Sequence, residues 1–331
     1  MAQVQTADTP RPTVPAPRFN AKAFAASYST IAIFVVLVLI ASFVSTSFLS
    51  SRNIGNVLRQ VASTGVISMG MLLVILTGGI DLSVGSVAAL GSILCASLLT
   101  TLSLWIAIPL SLAAGGALGA VAGYFVAVRR MPAFVVTLAV MTIARGTALI
   151  VSKGRPIFMS DNGAWLGDGF NRGSLLGIPS PVLLMLLVFA ATAFVLRLTA
   201  YGRLIVAIGS NSEAVRLSGV RVMPRIFSVY VVSGVLSALA GIIITARSGV
   251  GSPVVGIGME LDVIAAVVIG GASLMGGRGT ALNTLIGVLT LGVIGNIMNL
   301  LNVPGYHQEV VKGVIILVAV LLQSSFWPRR A

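Results

Sequence analysis

The chain has 331 residues, of which 57% are hydrophobic and 9% charged, and its 21 Lys and Arg against 8 Asp and Glu give a formal net charge of +13. A soluble domain covers its surface with roughly a quarter charged residues, so this composition excludes a soluble enzyme or a cytosolic binding module. One cysteine, Cys95, and one histidine, His307, exclude a disulfide framework, a Cys-built zinc site and a His-rich metal centre.

A membrane span needs about 20 helical residues, because about 30 Å of hydrocarbon is crossed at 1.5 Å per residue. Residues 1–26 precede the first such stretch. They combine Pro10, Pro12, Pro15 and Pro17 with Arg11, Arg18 and Lys22 and read as a disordered cytoplasmic tail. A cleaved signal peptide is the competing reading of the first apolar stretch, but that stretch is long and more follow. Apolar segments lie at 28–48, 61–77, 82–101, 104–128, 133–151, 182–198, 226–246, 261–274, 281–301 and 310–326. The expected fold is an all-α integral membrane protein with about ten transmembrane helices, some short or broken. The short ones, 61–77 and 261–274, are each followed by a glycine pair, Gly78-Gly79 and Gly276-Gly277, as broken or tilted helices would be.

With the N-terminus inside, 13 basic residues fall in inside segments and six in outside ones. The positive-inside bias therefore places both termini in the cytoplasm. The transmembrane domain is then 27–327, with an outside loop at 152–180, an inside loop at 199–225 and a cytoplasmic C-terminus at 328–331. The positive charge reads as an orientation signal, with no nucleic acid required. The inside loop is too short for an ATP-binding domain and long enough for one docking helix, the helical piece 212–218.

Charges at membrane depth are functional-site candidates by default. Asp81, in Gly78-Gly79-Ile80-Asp81-Leu82-Ser83-Val84-Gly85, either caps the next helix together with Ser83 or takes part in the path or its gating. Arg145 reads as a side chain snorkelling to the outer interface. Lys312 and Glu309 are three apart and suit an intrahelical pair. Asn296, Asn299 and Asn302 recur every three residues on one face, which should look inward, either toward a polyhydroxylated solute or to bridge helices. Gly115, Gly119 and Gly123 form a small-xxx-small run that suits close helix packing. The nearest approach to a P-loop, Gly271 to Arg278, lacks the lysine after its second glycine. ATP therefore has no P-loop in this chain, and no motif supports a bound cofactor or an enzymatic role.

Gly65-Val66-Ile67-Ser68-Met69-Gly70-Met71, running on to Thr77-Gly78-Gly79-Ile80-Asp81-Leu82-Ser83-Val84-Gly85-Ser86, resembles the permease subunits of bacterial ABC importers for ribose and related monosaccharides. The same holds for the inside stretch from Ala207 to Val220 and for Leu261 to Leu274 leading into Gly276-Gly277-Arg278-Gly279-Thr280. The resemblance runs in order over about residues 51–323. It implies a homodimer in the bacterial inner membrane, surrounded by lipid, fed by a periplasmic sugar-binding protein and driven by a cytoplasmic ABC ATPase that holds ATP and Mg. It also implies an ATPase-coupling loop carried by Asn211, Glu213, Arg216, Leu217 and Gly219, with Asp81, Ser83, Asn296 and Asn299 as candidates for the path or its gating. Ser210 and Val215 depart from the family pattern, which usually has Gly and often has Ala there. Two other readings stay open, a branched-chain amino-acid type ABC permease and an ion-coupled secondary transporter. The second usually needs carboxylates near the midplane, whereas Asp81, Glu260, Asp262 and Glu309 lie near the expected span ends.

Overall fold

Backbone polar groups have no water to bond in hydrocarbon, so apolar runs close their hydrogen bonds internally as helices. A computed structural model describes residues 21–326 and shows helices α1 (Ala21–Val44), α2 (Ser51–Leu76), α3 (Val84–Leu99), α4 (Leu104–Gly123), α5 (Ala133–Ser152), α6 (Ser180–Leu198), α7 (Ala200–Leu217), α8 (Met223–Ser248), α9 (Met259–Ile269), α10 (Ala281–Leu300) and α11 (Gly305–Phe326). A π-helical turn, Tyr124–Val128, extends α4. Two short antiparallel pairs decorate the loops: β1 (Ile157–Phe158) with β4 (Val250–Gly251), and β2 (Ser174–Leu175) with β3 (Ile178–Pro179).

Six helices are long and apolar enough to cross a membrane: α2, α4 with its extension, α5, α6, α8 and α10. The apolar stretches Thr30–Val44 of α1 and Val84–Leu99 of α3 are shorter. Length and composition thus support six crossings among the described residues, below the ten expected. The segment expected at 61–77 is not short, because α2 begins at Ser51, ten residues earlier. Most of the expected tail and the segment 328–331 lie outside the described residues, and α1 begins at Ala21, within the stretch expected to be tail.

For orientation, the end of the bundle carrying α7 is called proximal and the opposite end distal. Helix α8 runs through the middle, against α2, α3 and α4. The small-residue run of α4 makes this approach possible. A Cβ at Gly115, Gly119 or Gly123 would come within 2.5, 2.3 and 2.8 Å of the carbonyl oxygens of Gly234, Tyr230 and Phe227.

Helix α9 has 11 residues and reaches about 16 Å at 1.5 Å per residue, half of a crossing. The chain leading to it does the rest. Gly251 packs on Ser92 of α3 and Gly256 packs on Gly85, seven residues nearer the proximal end of the same helix. The non-helical stretch between them therefore descends about 10 Å along α3. Such backbone is tolerated inside a membrane protein only where protein groups satisfy it. Arg145 of α5 does so, donating from Nη1 to the carbonyls of Pro253 at 2.5 Å and Val255 at 2.7 Å. The expected snorkelling of Arg145 is thus replaced by a tertiary contact to a loop 108 residues away.

Candidate functional site

Helix α7 fills the stretch read as the inside loop. Thr199 caps it, its hydroxyl accepting from Gly202 N at 3.1 Å. The helix breaks at Asn211, whose backbone is extended at φ −163° and ψ 93°. Asn211 Oδ1 then accepts from Ala214 N at 2.9 Å, so the same residue ends one helix and caps a second, 212–217. Glu213 and Arg216 pair on this second piece, with Arg216 Nε donating to Glu213 Oε2 at 2.9 Å and a further bond from Nη2 to Oε1. Those bonds hold the Glu213 carboxyl below its usual value. The pair is therefore intact above the ordinary carboxylate range and is lost only as pH falls through the depressed value. Leu217 is 76% exposed. Gly219 ends the turn at φ +82°, where an L side chain would be strained. The result is a short capped helix presenting one apolar side chain and one ion pair outward.

The root of that helix packs against the bundle. A Cβ at Gly209 would lie 1.8 Å from Leu76 O and 2.5 Å from Gly277 N, so only glycine permits the contact. Gly277 N donates to the same Leu76 O at 3.0 Å. The pair Gly276-Gly277 therefore meets α7 here, with Gly78 beside Gly276. Beyond Leu76 the chain turns through an elbow, 77–83, into α3. Thr137 of α5 donates to Ile80 O at 3.2 Å. Asp81 is 2% exposed, and its Oδ1 accepts from Ser83 N at 3.0 Å and Ser83 Oγ at 2.6 Å. Its Oδ2 accepts from Ser233 Oγ of α8 at 2.7 Å. The carboxylate is thus more than a local cap, since half of it ties the elbow to α8, and no basic side chain pairs with it among the described residues. Three donors are what make a buried carboxylate tolerable. One turn away on α8, the hydroxyl of fully buried Tyr230 has no hydrogen-bond partner among the described residues. An unsatisfied buried group of this kind costs about 1–3 kcal/mol.

A family model described as branched-chain amino acid transport system / permease component matches residues 53–320. The ribose import permease protein RbsC of Haemophilus influenzae is 44% identical over 293 residues, 88% of this chain and 90% of that protein. RbsC of Bacillus subtilis is 46% identical over 294 residues, with the same coverage. The L-arabinose ABC transporter permease protein AraH of Azospirillum brasilense is 38% identical over 293 residues, 88% of this chain and 86% of that protein. The chain belongs to this permease family. No solved structure matches it.

In the permease, the asparagines of α10 divide. Asn296 exchanges two hydrogen bonds of 2.9 Å with Asn53 of α2, which bridges the helices. Asn299 is exposed and accepts from Gln308 Nε2 at 2.9 Å, while Asn302 lies beyond the helix with φ +55°. Lys312 pairs with Glu309 as expected and also with Asp262 of α9, each at 3.1 Å, which pins α11 to the half-helix. At the distal end of the permease a cup of about 470 Å³ opens among Asn56, Arg59, Gln60, Asn171, Arg172 and Arg247. Every side chain lining it is a hydrogen-bonding one, suited to hydroxyl or acidic groups. Sequence reasoning missed this cup because its residues come from three separated segments. At Ser210 the departure from the family pattern has a structural counterpart, since its hydroxyl donates to Val206 O at 3.0 Å and packs against Gly277.

Proposed function

We propose that this chain is the transmembrane permease subunit of an ATP-binding cassette importer for a monosaccharide or related polyol. Two copies form the path in the bacterial inner membrane, with both termini in the cytoplasm and about ten segments within the membrane. A periplasmic sugar-binding protein delivers the solute at the distal face, and a cytoplasmic ABC ATPase holding ATP and Mg engages the proximal face. The observation that carries the reading is the capped helix 212–217, exposed at its tip and rooted through Gly209 on the end of α2. A partner groove that takes Leu217 and orients on Glu213 and Arg216 can move such a lever as a rigid body. The helix itself holds no nucleotide and carries out no chemistry. The distal cup supports the direction of delivery, and the names of the relatives make pentoses the first solutes to try.

The branched-chain amino-acid reading is favoured by the description of the family model alone. Uptake into proteoliposomes holding the permease, its ATPase and its binding protein decides among the readings. ATP-dependent uptake of a labelled pentose, competed by sugars and not by leucine, is the expected result. Competition by leucine would favour the amino-acid reading, and uptake that needs an ion gradient but no ATP would overturn both.

A further inference from the structure

Two hydroxyls of α8 lie against the elbow that carries Asp81, and Asp81 uses one. Ser233 Oγ donates to it at 2.7 Å. Tyr230 lies three residues earlier on the same helix, fully buried, with its hydroxyl unpartnered among the described residues. That hydroxyl sits against the elbow itself, because a Cβ at Gly79 would be 2.3 Å from it, two residues before Asp81. A buried polar group without a partner calls for an explanation. A phenylalanine would fill the same space without that cost.

We infer that Tyr230 is a positioning residue offering a second seat for the Asp81 carboxylate, taken up when the elbow shifts along α8 during the transport cycle. Tyr230 and Ser233 are three residues apart, so their Cα atoms are about 4.5 Å apart along the axis, close to the one-turn step by which one packed element ratchets past another. Tyr230 is the seat nearer the proximal end, since α8 runs from Met223 at that end to Ser248 at the distal end. A link to α7 is built in. Leu76, five residues before Asp81, is the contact of Gly209 and of Gly277 N, so a displacement of α7 moves the end of α2 and the elbow after it. Ser83 travels with Asp81 on the same elbow and keeps two of its three hydrogen bonds through the step. Only the α8 partner is exchanged, from one hydroxyl to another. A carboxylate that always has a third donor crosses no unsatisfied resting state, and the two arrangements are discrete, as a bistable element requires.

This inference rests on the proposed coupling to an ATPase, and the test separates the two. Tyr230→Phe removes one hydroxyl and leaves the ring, so the complex should assemble with an unchanged or higher melting temperature. Its maximal ATP-driven uptake should fall tenfold or more, while the binding-protein concentration giving half-maximal uptake stays the same. Hydrogen exchange on the unmodified complex supplies a measurement that needs no variant: protection across 77–83 should differ between the nucleotide-free and vanadate-trapped states. Wild-type uptake that ignores ATP would remove the coupling and the seat exchange together. ATP-driven uptake that Tyr230→Phe leaves unchanged, or identical protection of the elbow in the two states, would overturn the seat exchange and leave the importer reading standing.

Discussion

Arg145 is the residue on which the descending segment before α9 depends. Replacing it with Ala removes the Nη1 donor to Pro253 O and Val255 O. Hydrogen bonds to a charged group contribute about 1.5–3 kcal/mol each, so the local loss is about 3–6 kcal/mol. Since 1.4 kcal/mol is a factor of ten, opening of the segment should become at least about 100-fold more frequent. Amide hydrogen exchange reads this directly at Val255 N, bonded to Ser252 O, and at Met259 N, bonded to Gly256 O. Their exchange should rise toward the free-peptide rate while the amides of α2, α4 and α8 stay protected, because those helices do not lean on Arg145. Unchanged protection at both amides in Arg145→Ala would refute the reasoning, since it would mean that the segment is held without the arginine.

Two further outcomes follow from close contacts elsewhere. Gly209→Ala places a Cβ 1.8 Å from Leu76 O, so α7 must lift from α2; solute-stimulated ATP hydrolysis in the assembled complex should fall by at least tenfold, with the chain still present in the membrane at normal levels. Asn296→Leu leaves Asn53 Oδ1 without its donor, while Nδ2 keeps Phe48 O, and should destabilise the α2–α10 contact by about 1–3 kcal/mol, visible as a lower melting temperature in detergent. The double replacement Asn53→Leu with Asn296→Leu should recover part of that loss, because neither amide is then left unpaired.

What the sequence made legible follows from what hydropathy measures. The run 104–128 coincides with α4 and its extension, and 133–151 stops one residue short of Ser152, because a lipid-facing helix is apolar along its whole length. Hydropathy places the start of α2 ten residues late, since its first turns carry Arg52, Asn53, Asn56, Arg59 and Gln60 at the distal end. Hydropathy reports membrane depth there, not helicity. Length and glycines point to the half-helix α9, but not to the descending segment before it, because the groups that satisfy its backbone, Arg145 at the carbonyls of Pro253 and Val255 and Ser92 at Ser252 N, lie more than 100 residues away in sequence. Asp81 stands out in the sequence as a charge at membrane depth. Its partner Ser233 lies 152 residues away, and nothing local marks it. The helical piece after Asn211 was legible from its own composition, whereas its root at Gly209 depends on a three-way backbone contact that only the fold brings together.

The central claim is that α7 transmits work from an ATPase to the bundle. Its most direct test is uptake and ATP hydrolysis measured together in proteoliposomes for the wild-type permease and for Glu213→Ala combined with Leu217→Ala, each with ATPase and binding protein. The account predicts ATP-driven uptake in the wild type and its loss in the variant, with the complex still assembled and the bundle intact. Undiminished coupled uptake in the variant would contradict it.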